Sequence, residues 1–104
     1  MPKVFISQPM TGKSFEEITN ERKSLVEQFN KNEFEVIDSV IDKIPNVKNS
    51  GLYCLGKSLK LLSDADVAIF MDGWQTARGC WIEHECCIRY NIPIIYKNDH
   101  ESLS

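Results

Sequence analysis

The sequence predicts an α/β domain of three layers, flavodoxin- or Rossmann-like, built on a parallel sheet. Two observations carry this expectation. Short apolar runs alternate along the chain with segments of helical periodicity, giving strand, helix, strand, helix, strand, helix, strand. The runs are also continuously apolar, as in strands covered on both faces. Right-handed crossovers then place helices on both sides of the sheet. Four strands are expected, or five if the tail adds one, in the order 2-1-3-4. With 104 residues, the whole span 1–104 is expected to form a single domain.

Strand one runs from Lys3 to Ser7 around the apolar run Val4-Phe5-Ile6. Gln8-Pro9-Met10-Thr11-Gly12 is a loop, because Pro9 lacks a backbone donor and Gly12 admits dihedrals other residues avoid. Ser14 with Glu17 three positions on predicts a capping box. Ile18, Arg22, Leu25, Val26 and Phe29 recur at helical spacing and carry the first helix to about Lys31. Asn32-Glu33 turns the chain into strand two, Phe34 to Asp38. Ser39 to Gly51 is polar and contains Pro45, which reads as a loop with room for one helical turn. The second helix spans Leu52 to Leu62, with Leu55, Leu59 and Leu62 on one face. Gly56 inside it costs about 1 kcal/mol relative to alanine, and suits either close packing or the approach of a ligand. Asp66 to Met71 is strand three, the most apolar and therefore central. Asp72 to Gly79 is a long loop, and Cys80 to Tyr90 is a helix ended by Asn91. Ile92 to Tyr96 is strand four, placed at an edge because Pro93 cannot donate to a ladder. The tail from Lys97 to Ser104 either adds a short helix or stays loose.

Composition excludes several functions. The chain is 42% hydrophobic and 26% charged, as in ordinary globular proteins, with a net charge of −3. No lysine or arginine cluster exceeds two adjacent residues, so no face suits a nucleic-acid polymer. A free nucleotide needs no such face. No apolar stretch approaches the roughly 20 residues of a membrane helix. Met1 to Ile6 leads straight into the sheet without a leader pattern. A cytoplasmic protein is expected. Cys54, Cys80, Cys86 and Cys87 contain no Cys-x-x-Cys pair, and they suit small apolar side chains in a reducing interior. Neither a metal nor a cofactor is expected.

In a sheet of order 2-1-3-4, the chain reverses direction of winding between strands one and three. Ligands bind at such switch points, beyond the carboxyl ends of the strands. The loops 8–13 and 72–79 are therefore expected to line one crevice. Glu83 lies just beyond the second of them. It is either a carboxylate placed for chemistry or an acidic residue near a helix start, favoured there by the dipole. Ser7 to Ser14 nearly fits a Walker A loop, but Ser7 stands at the first glycine position and Pro9 removes a donor the phosphate cradle needs. Thr11, Gly12 and the following helix start are left to hold one phosphate or a sugar hydroxyl. Asp66 and Asp72 stand at opposite ends of strand three and cannot pair. Asp72, at the carboxyl end, is the functional candidate, and Asp66 either caps the strand start or turns toward solvent. Gly73-Trp74 offers an aromatic platform for a base, or a cover for the sheet edge. Arg78, before Gly79, binds a phosphate bidentately or pairs with a surface carboxylate. Trp81 suits the core or a subunit contact.

Taken together, Val4-Phe5-Ile6-Ser7-Gln8-Pro9-Met10, Ala65-Asp66-Val67, Asp72-Gly73 and above all Gly79-Cys80-Trp81-Ile82-Glu83, with Pro93 ten residues on, resemble the nucleoside 2-deoxyribosyltransferase-like superfamily. The likeness covers most of the chain and is nearest to short bacterial and phage proteins of unassigned function. It implies that Glu83 is the nucleophile at the anomeric carbon, that Asp72 handles the departing base, and that residues 7–12 surround the sugar and any 5′-phosphate. The implied contacts are Ser7, Gln8, Pro9, Met10, Thr11, Gly12, Gly73, Trp74, Arg78 and Gly79. It also implies a homo-oligomer, since established relatives complete their pockets from a neighbouring subunit. Ser58 falls where the family often has a further aspartate, Cys80 where it has threonine and Glu85 where it has glycine. Two functional classes follow. One is an N-glycosidase or deoxyribosyltransferase acting on a nucleoside or nucleoside 5′-monophosphate. The other is a non-catalytic binder of a nucleotide or nucleotide-derived signal, serving phage–host conflict.

Overall fold

The computed structural model describes residues 1–28, 33–39 and 43–97. Its strands are β1 (Lys3–Ser7), β2 (Glu35–Val36), β3 (Val67–Met71) and β4 (Ile94–Lys97). Its helices are α1 (Phe15–Val26), α2 (Ser50–Leu62) and α3 (Arg78–Arg89), with a 3₁₀ turn at Trp74–Thr76. The four strands form one parallel sheet in the order β2-β1-β3-β4. β3 lies inside the sheet and β4 at its edge, where Pro93 offers only its carbonyl, to Ala68 N at 2.9 Å.

Strand alternation decides which helix meets which side chain. Val4, Ile6 and Ile69 point to one face and pack with Leu25 of α1. Phe5, Ala68 and Phe70 point to the other and pack with Leu62 of α2 and Cys87 of α3. Each fully buried aliphatic or aromatic side chain contributes about 1.5–3 kcal/mol relative to exposure. These two small cores hold the three layers together. The same alternation puts Ser7 on the α2/α3 face, two positions beyond Phe5.

Local signals set most boundaries. The Ser14 capping box is present: Ser14 Oγ accepts from Glu17 N at 3.1 Å while the Glu17 carboxylate accepts from Ser14 N. Asp66 does cap the sheet's start, accepting from Lys3 N at 2.6 Å.

Several boundaries differ from expectation. α1 stops at Val26 rather than near Lys31, because Gln28 N bonds to Leu25 O and tightens the last turn. α2 starts at Ser50 instead of Leu52, since the Asn49 side chain caps it by accepting from Leu52 N at 2.9 Å. α3 starts at Arg78 instead of Cys80. Its cap, Ala77, makes no side-chain bond, and the 3₁₀ turn before it is set up by Gly73 at φ 87°. β4 begins at Ile94 because Ile92 N is tied to Cys87 O of α3. β2 is paired only at Glu35–Val36, although Ile37 N still reaches Val4 O. Phe29 to Asn32 and Asn98 to Ser104 lie outside the described residues, and with them the expected extension of α1 and any fifth strand.

Among the described residues, no helix is long and apolar enough to cross a membrane.

Candidate active site

A cavity of about 440 Å³ opens at the carboxyl end of β1, between α2 and α3. This is a volume suited to a small ligand. Phe5, Leu52, Leu55 and Ile82 make apolar walls, and Glu83 lies among the polar groups.

Glu83 is 7% exposed. It stands in the second turn of α3, beyond the first turn over which the dipole acts. Its place is explained by contact instead. Ser7 Oγ, carried to the α3 face by the alternation of β1, donates to Glu83 Oε1 at 2.6 Å, and Ser7 is 1% exposed. Ser58 of α2, another residue of the lining, also favours the charged form of Glu83. Burial raises the Glu83 carboxyl to about 7, against the opposing pull of those two hydroxyls. Near neutral pH it therefore exchanges between acid and carboxylate. Burial also pushes the adjacent Cys80 thiol up to about 11, so that it stays protonated.

Gln8 leaves β1 on the α1 side. Its Nε2 donates to Ile18 O at 2.8 Å, which fixes the amide's orientation. Gln8 Oε1 is buried without a partner, on a residue 4% exposed that lines the cavity. A buried acceptor left unmade is costly. On the far side, the Arg78 guanidinium lies against Gly51, in the first turn of α2: its Nη2 is 3.1 Å from where a Cβ at that glycine would sit. The Arg78 side chain makes no hydrogen bond or ion pair among the described residues. The first turn of α2 carries no acidic residue. A cation and a helix N-terminus thus share one lip of the cavity, an arrangement that favours an anion.

Of the residues singled out from the sequence, the cavity gathers Gln8, Met10, Thr11, Arg78, Gly79 and Glu83, with Ser7 holding Glu83 in place. Pro9, Gly12, Asp72, Gly73 and Trp74 are outside its lining. Asp72 is exposed. Trp74 stacks on His84, with ring centroids 4.0 Å apart at 17°, and meets Phe70 edge-on. His84 Nε2 and the Tyr96 hydroxyl are 2.5 Å apart. Trp74 therefore covers the β3–β4 end of the sheet, the structural one of its two readings. Trp81 is 54% exposed and belongs to no core. Gly56 has open space where a Cβ would be, so close packing does not explain it.

The sequence reading missed the contribution of α2. Asn49, Gly51, Leu52, Cys54 and Leu55 all line the cavity. The Asn49-Ser50-Gly51 run was a usable signal: small polar residues opening a helix beside a switch point leave backbone donors open to a ligand.

A scan against protein-family models and searches of curated proteins and of solved structures return no match to this chain.

Proposed function

We propose that the protein acts on the N-glycosidic bond of a nucleoside or nucleoside 5′-monophosphate, with Glu83 as the carboxylate at the anomeric carbon. The observation that carries this reading is the one buried carboxyl among the described residues, poised near neutrality, beside a cavity of nucleotide size. As the bond to the base breaks, positive charge builds on the sugar. A carboxylate beside C1′ stabilises that charge or bonds to it. Water then completes hydrolysis, and a second base completes transfer. Ser7 holds the carboxylate in one orientation. Arg78 with the start of α2 is a seat for a 5′-phosphate. The apolar walls suit the ring of the base.

The second reading is a non-catalytic nucleotide binder. Ser58 beside Glu83, where a second acid would assist, and the exposed position of Asp72 favour it. Incubation with a panel of ribo- and deoxyribonucleosides and their 5′-monophosphates separates the two. Release of free base, abolished by Glu83→Gln, is the expected result. Tight binding of a panel member without turnover would establish the binder instead.

The surface supports self-association. Trp81, Ile88 and Tyr90 on and after α3 are 54%, 55% and 78% exposed, and the first two lie seven residues apart on one helical face. The four cysteines are free, as suits a reducing cell interior.

A further inference from the structure

A neutral base leaves a sugar as an anion unless an acid protonates its ring nitrogen. A general acid matched to the operating pH is worth on the order of 100-fold or more. Besides Glu83, the polar and thiol side chains among the described lining residues are the amides of Gln8 and Asn49, the hydroxyls of Thr11 and Ser58, the Cys54 and Cys80 thiols and the Arg78 guanidinium, with no second carboxyl and no imidazole. Amides and hydroxyls do not titrate near neutrality. The guanidinium does not give up its proton, the Cys80 thiol, at about 11, is far from the useful range, and proton donation by Cys54 would show as an alkaline limb in the pH–rate profile. Asp72 is exposed outside the lining, and His84 is stacked on Trp74 and turned to Tyr96. Glu83 cannot serve twice, because the carboxylate that meets C1′ has no proton to give.

Building on the glycosidic reading above, we infer that the substrate is an N-glycoside whose leaving base already carries a positive charge, a pyridinium or N7-alkylpurinium nucleotide. Such a base needs no acid. The bond between C1′ and the ring nitrogen breaks, its electron pair goes to the nitrogen, and the ring departs as a neutral heterocycle. The positive charge passes to C1′, where a Glu83 oxygen forms an ester bond. Water then displaces that ester at C1′, and its proton goes to solvent. Electrostatics favours the same choice in binding. Glu83 makes no ion pair among the described residues. A cationic ring held between Phe5, Leu52, Leu55 and Ile82 gives the buried carboxylate a counter-charge, while Arg78 takes the phosphate at the opposite lip.

The test compares nicotinamide mononucleotide and 7-methylguanosine 5′-monophosphate with guanosine 5′-monophosphate, each corrected for uncatalysed loss of base. The cationic substrates are expected to be cleaved with kcat/KM at least about 100-fold above the neutral one, the scale of a missing general acid. Their rate should rise with pH through about 7 and then stay level, as ionisation of Glu83 alone requires. Across substituted pyridinium nucleotides it should fall steeply as the leaving pyridine becomes more basic. Comparable cleavage of guanosine 5′-monophosphate, or a bell-shaped profile with an alkaline limb, would overturn the inference and leave the glycosidic reading standing. Cleavage of none of these, nor of any nucleoside or nucleotide in the wider panel, would remove the glycosidic reading and this one with it.

Discussion

Glu83→Gln should make the protein's stability less sensitive to pH. In the folded chain, burial raises this carboxyl from 4.5 to about 7. A group with a raised folded-state pKa binds more protons folded than unfolded between those two values. For a carboxyl, the folded state therefore loses stability as pH rises from about 4.5, and the loss is complete above about 7. At 1.36 kcal/mol per pKa unit, the cost between pH 5 and pH 8 comes to about 2–3 kcal/mol. Glutamine has nearly the same shape, still accepts from Ser7 Oγ, and does not titrate. All other ionisable groups are shared by the two proteins and cancel in the comparison. Thermal unfolding across this range should show the wild type losing about 10–20 °C more than the variant, at roughly 4–8 °C per kcal/mol for a domain of this size. The variant should be the more stable protein at pH 8 and nearly equal at pH 5. Parallel pH dependences would refute the reasoning, because they would mean that Glu83 ionises in the fold as easily as in the unfolded chain.

Three further outcomes follow from the same geometry. Ser7→Ala removes a hydrogen bond that favours the charged form of Glu83, so the acid limb of the pH–rate profile should move to higher pH; an unmoved limb would show that Ser7 does not tune the carboxyl. Gly56→Ala should stabilise the chain by about 0.5–1 kcal/mol, measured by urea unfolding, because the position is helical and a Cβ there meets nothing within 4 Å; a loss of stability, or of nucleotide binding, would reveal a contact at that glycine. Light scattering at low micromolar concentration should give a mass above the 12.0 kDa of one chain, and Trp81→Glu should restore the monomer; a monomeric wild type would remove the shared-surface idea.

The sheet order followed from physical signals that act locally. Uninterrupted apolar runs, a proline in the last strand and long connections permit few topologies. The Ser14–Glu17 box was visible because capping is chemistry between near neighbours. The start of α3 was not, because Ala77 carries no capping group and Gly73 sets the turn from four residues upstream. The candidate site was partly visible for a similar reason. Glu83, Gln8 and Arg78 lie where a parallel sheet opens, and period-two alternation in β1 sends Ser7 toward α3. The direction taken by Asp72 and Trp74 was not visible. Both follow the same strand end, yet one faces solvent and the other packs on His84. The role of α2 depended on where a long loop returns to the sheet, for which the Asn49-Ser50-Gly51 run marks only the helix start.

The placement of the sugar against Glu83 can be seen directly in a crystal structure of the Glu83→Gln variant soaked with a nucleotide the wild type cleaves. The account predicts an intact ligand with C1′ within about 3.5 Å of the side-chain oxygen at position 83, a near-attack distance. It also predicts the phosphate at Arg78. A ligand whose sugar lies beyond reach of position 83, or whose base stacks outside the cavity on Trp74, would contradict it.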